Sequence, residues 1–193
     1  MEIKNRSRLK KCLAEDKKRT ELGNPARVIR GFLCHEPYYM IWRYIRAMRM
    51  EEYHTACGGW FHKLLHYYWR RKRHLLGERT NLFVEPGVFD EGLMIWHFGV
   101  VVNSEASVGK FCTLHGQNCI GNNTKDGKAP VLGERVTLGV GASVIGGVYL
   151  ADGITVAAGA VVTDSFYEPD IVIGGIPARK LKGPKEQEKA GRS

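Results

Sequence analysis

Two histidines in the C-terminal half of this chain, His97 and His115, stand 18 residues apart. A neutral imidazole can take a proton from an attacking alcohol and return it to a departing group, because its unperturbed pKa lies near neutrality. Held one above the other at the roughly 4.8 Å spacing of neighbouring strands, the two could serve one site. An acid is expected to orient such a base. Glu85, Asp90, Glu91 and Glu105 are the nearby candidates, and Glu85 is carried forward with the histidines. No third histidine follows in this part of the chain, so a zinc site is not expected. The five cysteines form no CxxC pair and read as reduced cytosolic thiols.

The 18-residue interval acquires meaning from the elements around it. Steps of six from Val102 reach Val108, Leu114 and Ile120, then Leu132, Leu138, Val144, Leu150, Val156 and Val162. Only Asp126 breaks the series, inside the turn-rich stretch Gly121–Pro130 that reads as a projecting loop. Four residues on in each hexad stands a second, mostly small or apolar series: Ala106, Cys112, Asn118, Val136, Ala142, Val148, Ile154, Ala160 and Phe166. Neither a helix nor a simple strand has this period. It predicts a mainly β fold, a left-handed parallel β-helix of hexapeptide repeats in which three hexads complete one coil. Extended back to Trp96, the register sets Trp96 and Leu114 inward and both histidines on one face, one coil apart. Cys112 lies in the inner column, where a thiol is packing rather than a nucleophile.

Residues 1–80 lack the repeat and carry 19 Lys+Arg against 8 Asp+Glu, out of 29 and 20 in the whole chain. This gives three segments: a basic, α-helical N-terminal segment 1–80, a β-helix 81–182 and a flexible tail 183–193. Tyr38–Glu52 and Trp60–Leu76 have helical spacing of apolar and aromatic residues, separated by Gly58-Gly59. A more polar helix or extended segment precedes Asn24-Pro25. Residues 38–76 either pack on the β-helix or contact an anionic membrane surface. No nucleic-acid partner is expected, since no reader motif accompanies the charge. The charged first twenty residues hold no signal peptide, and no apolar run spans a bilayer. The expected location is cytoplasmic, either free or at the membrane periphery.

Gly92–Gly99 (GLMIWHFG), Val100–Asn103, the hexads, the loop and Gly174–Lys180 (GGIPARK) occur in the order found in serine O-acetyltransferases. Residues 81–182 resemble that family, and the basic N-terminus is similar to its members in capsule and surface-polysaccharide clusters. The resemblance implies homotrimers that bind acetyl-CoA in grooves between neighbouring β-helices, with no metal, and His97 as the catalytic histidine. It implies that backbone around Val140-Gly141 and Ala158-Gly159 lines the pantetheine groove, with Arg179 and Lys180 meeting CoA phosphates. Three features depart from the family. Phe83 stands where an aspartate assists the histidine, Lys128-Ala129 where an Arg-His pair holds serine, and the N-terminal region is shorter.

The first two departures favour an acetyl-CoA-dependent O-acetyltransferase acting on a sugar or surface-polysaccharide precursor. Trp96 would offer a stacking face if it turns outward, and Lys128 lies on the acceptor side. Serine O-acetylation for cysteine synthesis is the alternative. A non-catalytic β-helix scaffold that binds a membrane or partner is the reading from another class.

Overall fold

The structure, a computed structural model, describes residues 3–20, 22, 24–123 and 127–183. Among them, four helices come first: α1 (Arg6–Arg19), α2 (Pro25–Cys34), α3 (Pro37–Ala56) and α4 (Trp60–Thr80). Asn5 caps α1 by accepting from the Arg8 N–H at 2.8 Å, and Asn24 caps α2 through the Ala26 N–H at 2.9 Å. Pro25 and Pro37 occupy helix starts, where a missing N–H costs nothing.

The chain then climbs in coils. The first holds β1 (Leu82–Val84) and β2 (Met94–Ile95); the second β3 (Val100–Val102), β4 (Ser107–Val108) and β5 (Thr113–Leu114). The third holds β6 (Cys119–Gly121), β7 (Val131–Leu132) and β8 (Thr137–Leu138); the fourth β9 (Ser143–Ile145), β10 (Tyr149–Leu150) and β11 (Thr155–Val156). β12 (Val161–Val162) and β13 (Val172–Gly175) follow, and β14 (Ala178–Lys182) folds back antiparallel on β13. Parallel pairing stacks β1-β3-β6-β9-β12 as one face, β4-β7-β10 as a second and β2-β5-β8-β11-β13 as a third. The result is a left-handed parallel β-helix.

All ten aliphatic residues of the first inward series are buried, as are Ala106 to Ala160 of the second; Phe166 is half-buried. Enclosing each Val, Leu or Ile contributes about 1.5–3 kcal/mol relative to exposure. Across the loop the register jumps from the usual 18 residues to 24, as in Cys119↔Ser143 against Val101↔Cys119. The loop therefore adds one hexad's length, and the inward columns continue unbroken above it. Thr124–Asp126 of this loop, and the tail expected beyond Gly183, lie outside the described residues.

The helical region and the β-helix share one core, in which Met40, Tyr44, Ile45 and Met48 of α3 and Leu76 of α4 pack against Leu82, Val84 and the next coils. Several of the basic residues work at this junction. Buried Arg49 reaches Asp16 at 2.9 Å and the carbonyls of Phe89 and Asp90 at 2.7 and 2.6 Å. Asp16 also accepts from the Gly92 and Leu93 N–H groups at 2.7 and 2.9 Å. Arg73 holds Glu51 at 2.6 Å, while the Tyr44 hydroxyl bonds both the N–H and the carbonyl of Val84. Arg8 and Lys11 bind Glu91. Burial raises the Glu91 carboxyl, but the Lys11 hydrogen bond and the Arg8, Lys11 and Lys110 charges outweigh it, leaving its pKa lowered. No described helix is long and apolar enough to cross a membrane.

Candidate functional site

The corner after β2 departs from the hexapeptide step. β2 pairs with β5 as Met94↔Thr113 and Ile95↔Leu114, an offset of 19 residues, whereas β3 pairs with β6 at 18. One residue is therefore added between Ile95 and Val102. This corrects the register expected at Trp96: Ile95 is the inward residue, at 2 % exposure, and Trp96 is 41 % exposed. Trp96, not His97, stands over His115, their rings stacked with centroids 6.3 Å apart at 27°. His97 instead lies over Gly116, where a Cβ would come within 2.7 Å of the His97 Cβ. Gly116 has φ +106°, a conformation that favours glycine. The expected pair of stacked imidazoles is thus replaced by one exposed histidine on a glycine shelf, beside a Trp–His stack.

Asn118 braces the shelf. Its Oδ1 accepts from the Gly116 N–H at 2.9 Å, and its Nδ2 donates to the carbonyls of Gly139 and Ala142 at 2.7 and 3.2 Å. It is the polar exception in the second inward series, and that exception was the sequence signal for a corner-fixing residue.

On the outer side of His97 lies a cavity of about 270 Å³. Met94, Ile95, Trp96 and His97 form one wall, and Thr20, Arg27, Pro37 and Tyr38 from the helical region form the other. The last four have no repeat or motif to mark them; only the docking of the helical region beside the first coil reveals them. The Tyr38 hydroxyl donates to the Arg27 carbonyl at 3.4 Å. No carboxylate lines this cavity among the described residues.

Glu85 is not brought to His97. It pairs with Arg73 at 3.0 Å and lines a different cavity, together with Phe83, that contains neither His97 nor His115. Asp90 and Glu91 are held by Arg8, and Glu105 is exposed. Lys128 is exposed on the loop between β6 and β7, at the corner joining the first and second faces. The histidines occupy the corner joining the third and first, so one chain does not unite Lys128 with them. Burial pushes the Cys112 thiol up to about 12, and it donates to the Gly133 carbonyl at 3.3 Å, as packing requires.

Above His97 the same corner forms an open edge. The Gly141 N–H donates to the Gly116 carbonyl at 3.0 Å, and the Gly159 N–H to the Val140 carbonyl at 2.8 Å. Gly141 and Gly159 have φ of +71° and +68°. A Cβ at Gly159 would meet nothing within 4 Å, and one at Gly141 would touch only Gly159, at 3.9 Å. Backbone is therefore accessible beside exposed Val140 and Ala158, a surface that fits a thin pantetheine-like chain. Arg179 and Lys180 pair with Asp164 at 2.9 Å and Glu168 at 2.6 Å. These exposed pairs are weak enough to exchange for phosphate. Among the described residues, no group of three or more His, Cys, Asp and Glu could hold a metal ion.

Fold and corner define the class, a left-handed parallel β-helix closed at its first coil by helices. Its relatives and structural neighbours are serine acetyltransferases. That of Mycobacterium tuberculosis (strain ATCC 25618 / H37Rv) is 33 % identical over 134 residues, covering 63 % of this chain and 58 % of that protein. That of Buchnera aphidicola subsp. Schizaphis graminum is 28 % identical over 144 residues, covering 66 % and 54 %. The chain spans about half the length of the curated relatives it matches. The crystal structure of serine acetyltransferase from Brucella abortus strain S19 superposes with a TM-score of 0.69 at 18 % identity, covering 93 % of this chain and 72 % of that one. The soybean enzyme complexed with serine gives 0.67 at 20 %, covering 91 % and 70 %. No protein-family model matches the chain.

Proposed function

We propose that the protein is an acetyl-CoA-dependent O-acetyltransferase with L-serine as acceptor and His97 as general base. One observation carries the reading: His97 stands between an open glycine edge and a cavity walled by the helices. A thioester laid along Gly159, Gly141 and Gly116 and a hydroxyl presented from the cavity would meet at its imidazole. The neutral ring takes the hydroxyl proton as the oxygen attacks the thioester carbonyl carbon. The tetrahedral intermediate then collapses, the C–S bond breaks, and the imidazolium returns the proton to the thiolate. Arg27 is the cation on the cavity's far wall and suits an acceptor carboxylate. His115 supports Trp96 rather than carrying a proton, and Glu85 has no part in the step. Arg179 and Lys180 receive the CoA phosphates.

The serine acetyltransferases among the relatives support serine over the sugar expected from the departures at Phe83 and Lys128-Ala129. A homotrimer is part of the proposal: Lys128 lies at another corner, where a neighbouring copy could receive it. A sugar hydroxyl remains the second reading on one observation, the exposed indole of Trp96 beside His97.

The test follows free-thiol release from acetyl-CoA with L-serine and with simple sugars. Serine-dependent release about tenfold or more above the sugar rates, a difference of about 1.4 kcal/mol in barrier, supports the first reading. The reverse ranking supports the second. No acceptor-dependent release, with no rise in melting temperature from acetyl-CoA, overturns both and leaves the scaffold reading.

A further inference from the structure

The outward side of α4 is unpacked and mainly aromatic and aliphatic, with Arg71 and Glu78 set among the apolar residues. Trp60 is 79 % exposed, Leu64 60 %, Tyr67 56 % and Leu75 47 %. Helical spacing puts these four, with Tyr68 and Arg71, within an arc of roughly 100°. The buried side of the same helix is Arg73, Leu76, Gly77 and Thr80, so packing against α3 and the first coil does not use the aromatic stripe. Exposed Lys63, Arg70 and Arg79 border it, and the Lys72 ammonium lies 4.8 Å from the Trp69 ring centroid. Glu78 is the sole acid of α4, against six Lys and Arg. Of those six, Arg73 is buried and ion-paired with Glu51; Arg71 lies within the stripe and the other four flank it.

We propose that α4 docks the protein onto an anionic phospholipid surface, lying in the plane of the interface. Aromatic rings suit the headgroup boundary, and bordering cations suit anionic headgroups. A second copy of this chain is a poor occupant, because a two-fold contact through this face would set the same cations against one another. Insertion across the bilayer is ruled out for α4, which is not apolar enough. The proposal is independent of the acetyl-transfer reading.

The test uses the full-length protein and vesicles of phosphatidylcholine, with and without phosphatidylglycerol. Expected is cosedimentation with the anionic vesicles only, accompanied by a blue shift of tryptophan emission. Affinity should fall about tenfold or more as salt shortens the Debye length from roughly 10 Å to 3 Å. Trp60→Ser with Leu64→Ser should abolish the blue shift and most of the binding, and Arg70→Gln with Arg71→Gln should remove the preference for anionic lipid. Both variants should keep the far-ultraviolet circular dichroism and thermal unfolding of the parent. Absence of binding, equal binding to neutral vesicles, or binding untouched by either variant would overturn the proposal. So would a concentration-dependent doubling of mass in solution that the Trp60→Ser, Leu64→Ser variant loses, since that assigns the face to a second copy.

Discussion

The coils of the β-helix and the helical layer beneath the first of them achieve burial by opposite means. In the coils the enclosed columns are aliphatic, each rung hydrogen-bonds its neighbour through backbone, and the buried amide of Asn118 is an exception with a local task. In the helical layer Asp16, Arg49, Glu51 and Arg73 are buried beside the apolar residues of α3 and add directional contacts to them. The contrast has a physical reason. Identical hexads stack in register without instruction, because every coil presents the same surface to the next. A helix bundle meeting the end of a solenoid has no repeat to guide it, so directional contacts to the Phe89, Asp90, Gly92 and Leu93 backbone fix its orientation. The cavity outside His97 exists only because that orientation is fixed.

Asp16→Ala should have the largest effect on stability, about 3–5 kcal/mol by urea unfolding, because it leaves Arg49 buried without its main partner and frees two backbone donors. A loss of less than about 1 kcal/mol, the range of a surface pair, would mean the layer is held by apolar contact alone. Leu138→Ala, in a coil where the side chain is fully enclosed, should cost about 3 kcal/mol with no change in the helical layer's proteolytic protection. Gly116→Ala forces a side chain into φ +106° and against His97. It should cost about 1–3 kcal/mol and slow acetyl transfer; unchanged turnover would detach His97 from the shelf.

The smallest effect concerns pH. Burial lowers the pKa of His54, and the neighbouring His62 and His66 lower it further; the His54 and His62 Nδ1 atoms are 2.8 Å apart. With the folded pKa below the ordinary 6.5, the unfolded chain binds the proton more readily between the two values. Stability is then fully present above pH 6.5 and declines as pH falls through that window. Tm should fall as pH drops through that window, and His54→Gln should flatten the profile. An unchanged pH profile in that variant would contradict the assignment.

The coils were legible in sequence because a period of six leaves a mark on every column, from Val102 to Val162. The His97 corner was half legible. GLMIWHFG marked the residue, but one added residue has no periodic signature, and a hydrophobic Trp96 fits the inward column as well as Ile95 does. α2 was missed although Asn24 followed by Pro25 is a helix start, and Val28, Ile29, Phe32 and Leu33 follow at helical spacing. Glu85 was misplaced for a different reason. Its partner Arg73 approaches through the packing of α4 against β1, a contact that proximity in sequence to His97 obscured. The cavity wall of Thr20, Arg27, Pro37 and Tyr38 depends on the same long-range docking.

In the proposed reaction His97 is the base at the meeting point of donor edge and acceptor cavity. The direct measurement is the rate of free-thiol release from acetyl-CoA in the presence of L-serine, for the parent protein and for His97→Ala. Serine-dependent release should fall by about 100- to 10 000-fold in the variant, while acetyl-CoA binding persists. Release that needs no serine, or that His97→Ala retains, would contradict this role.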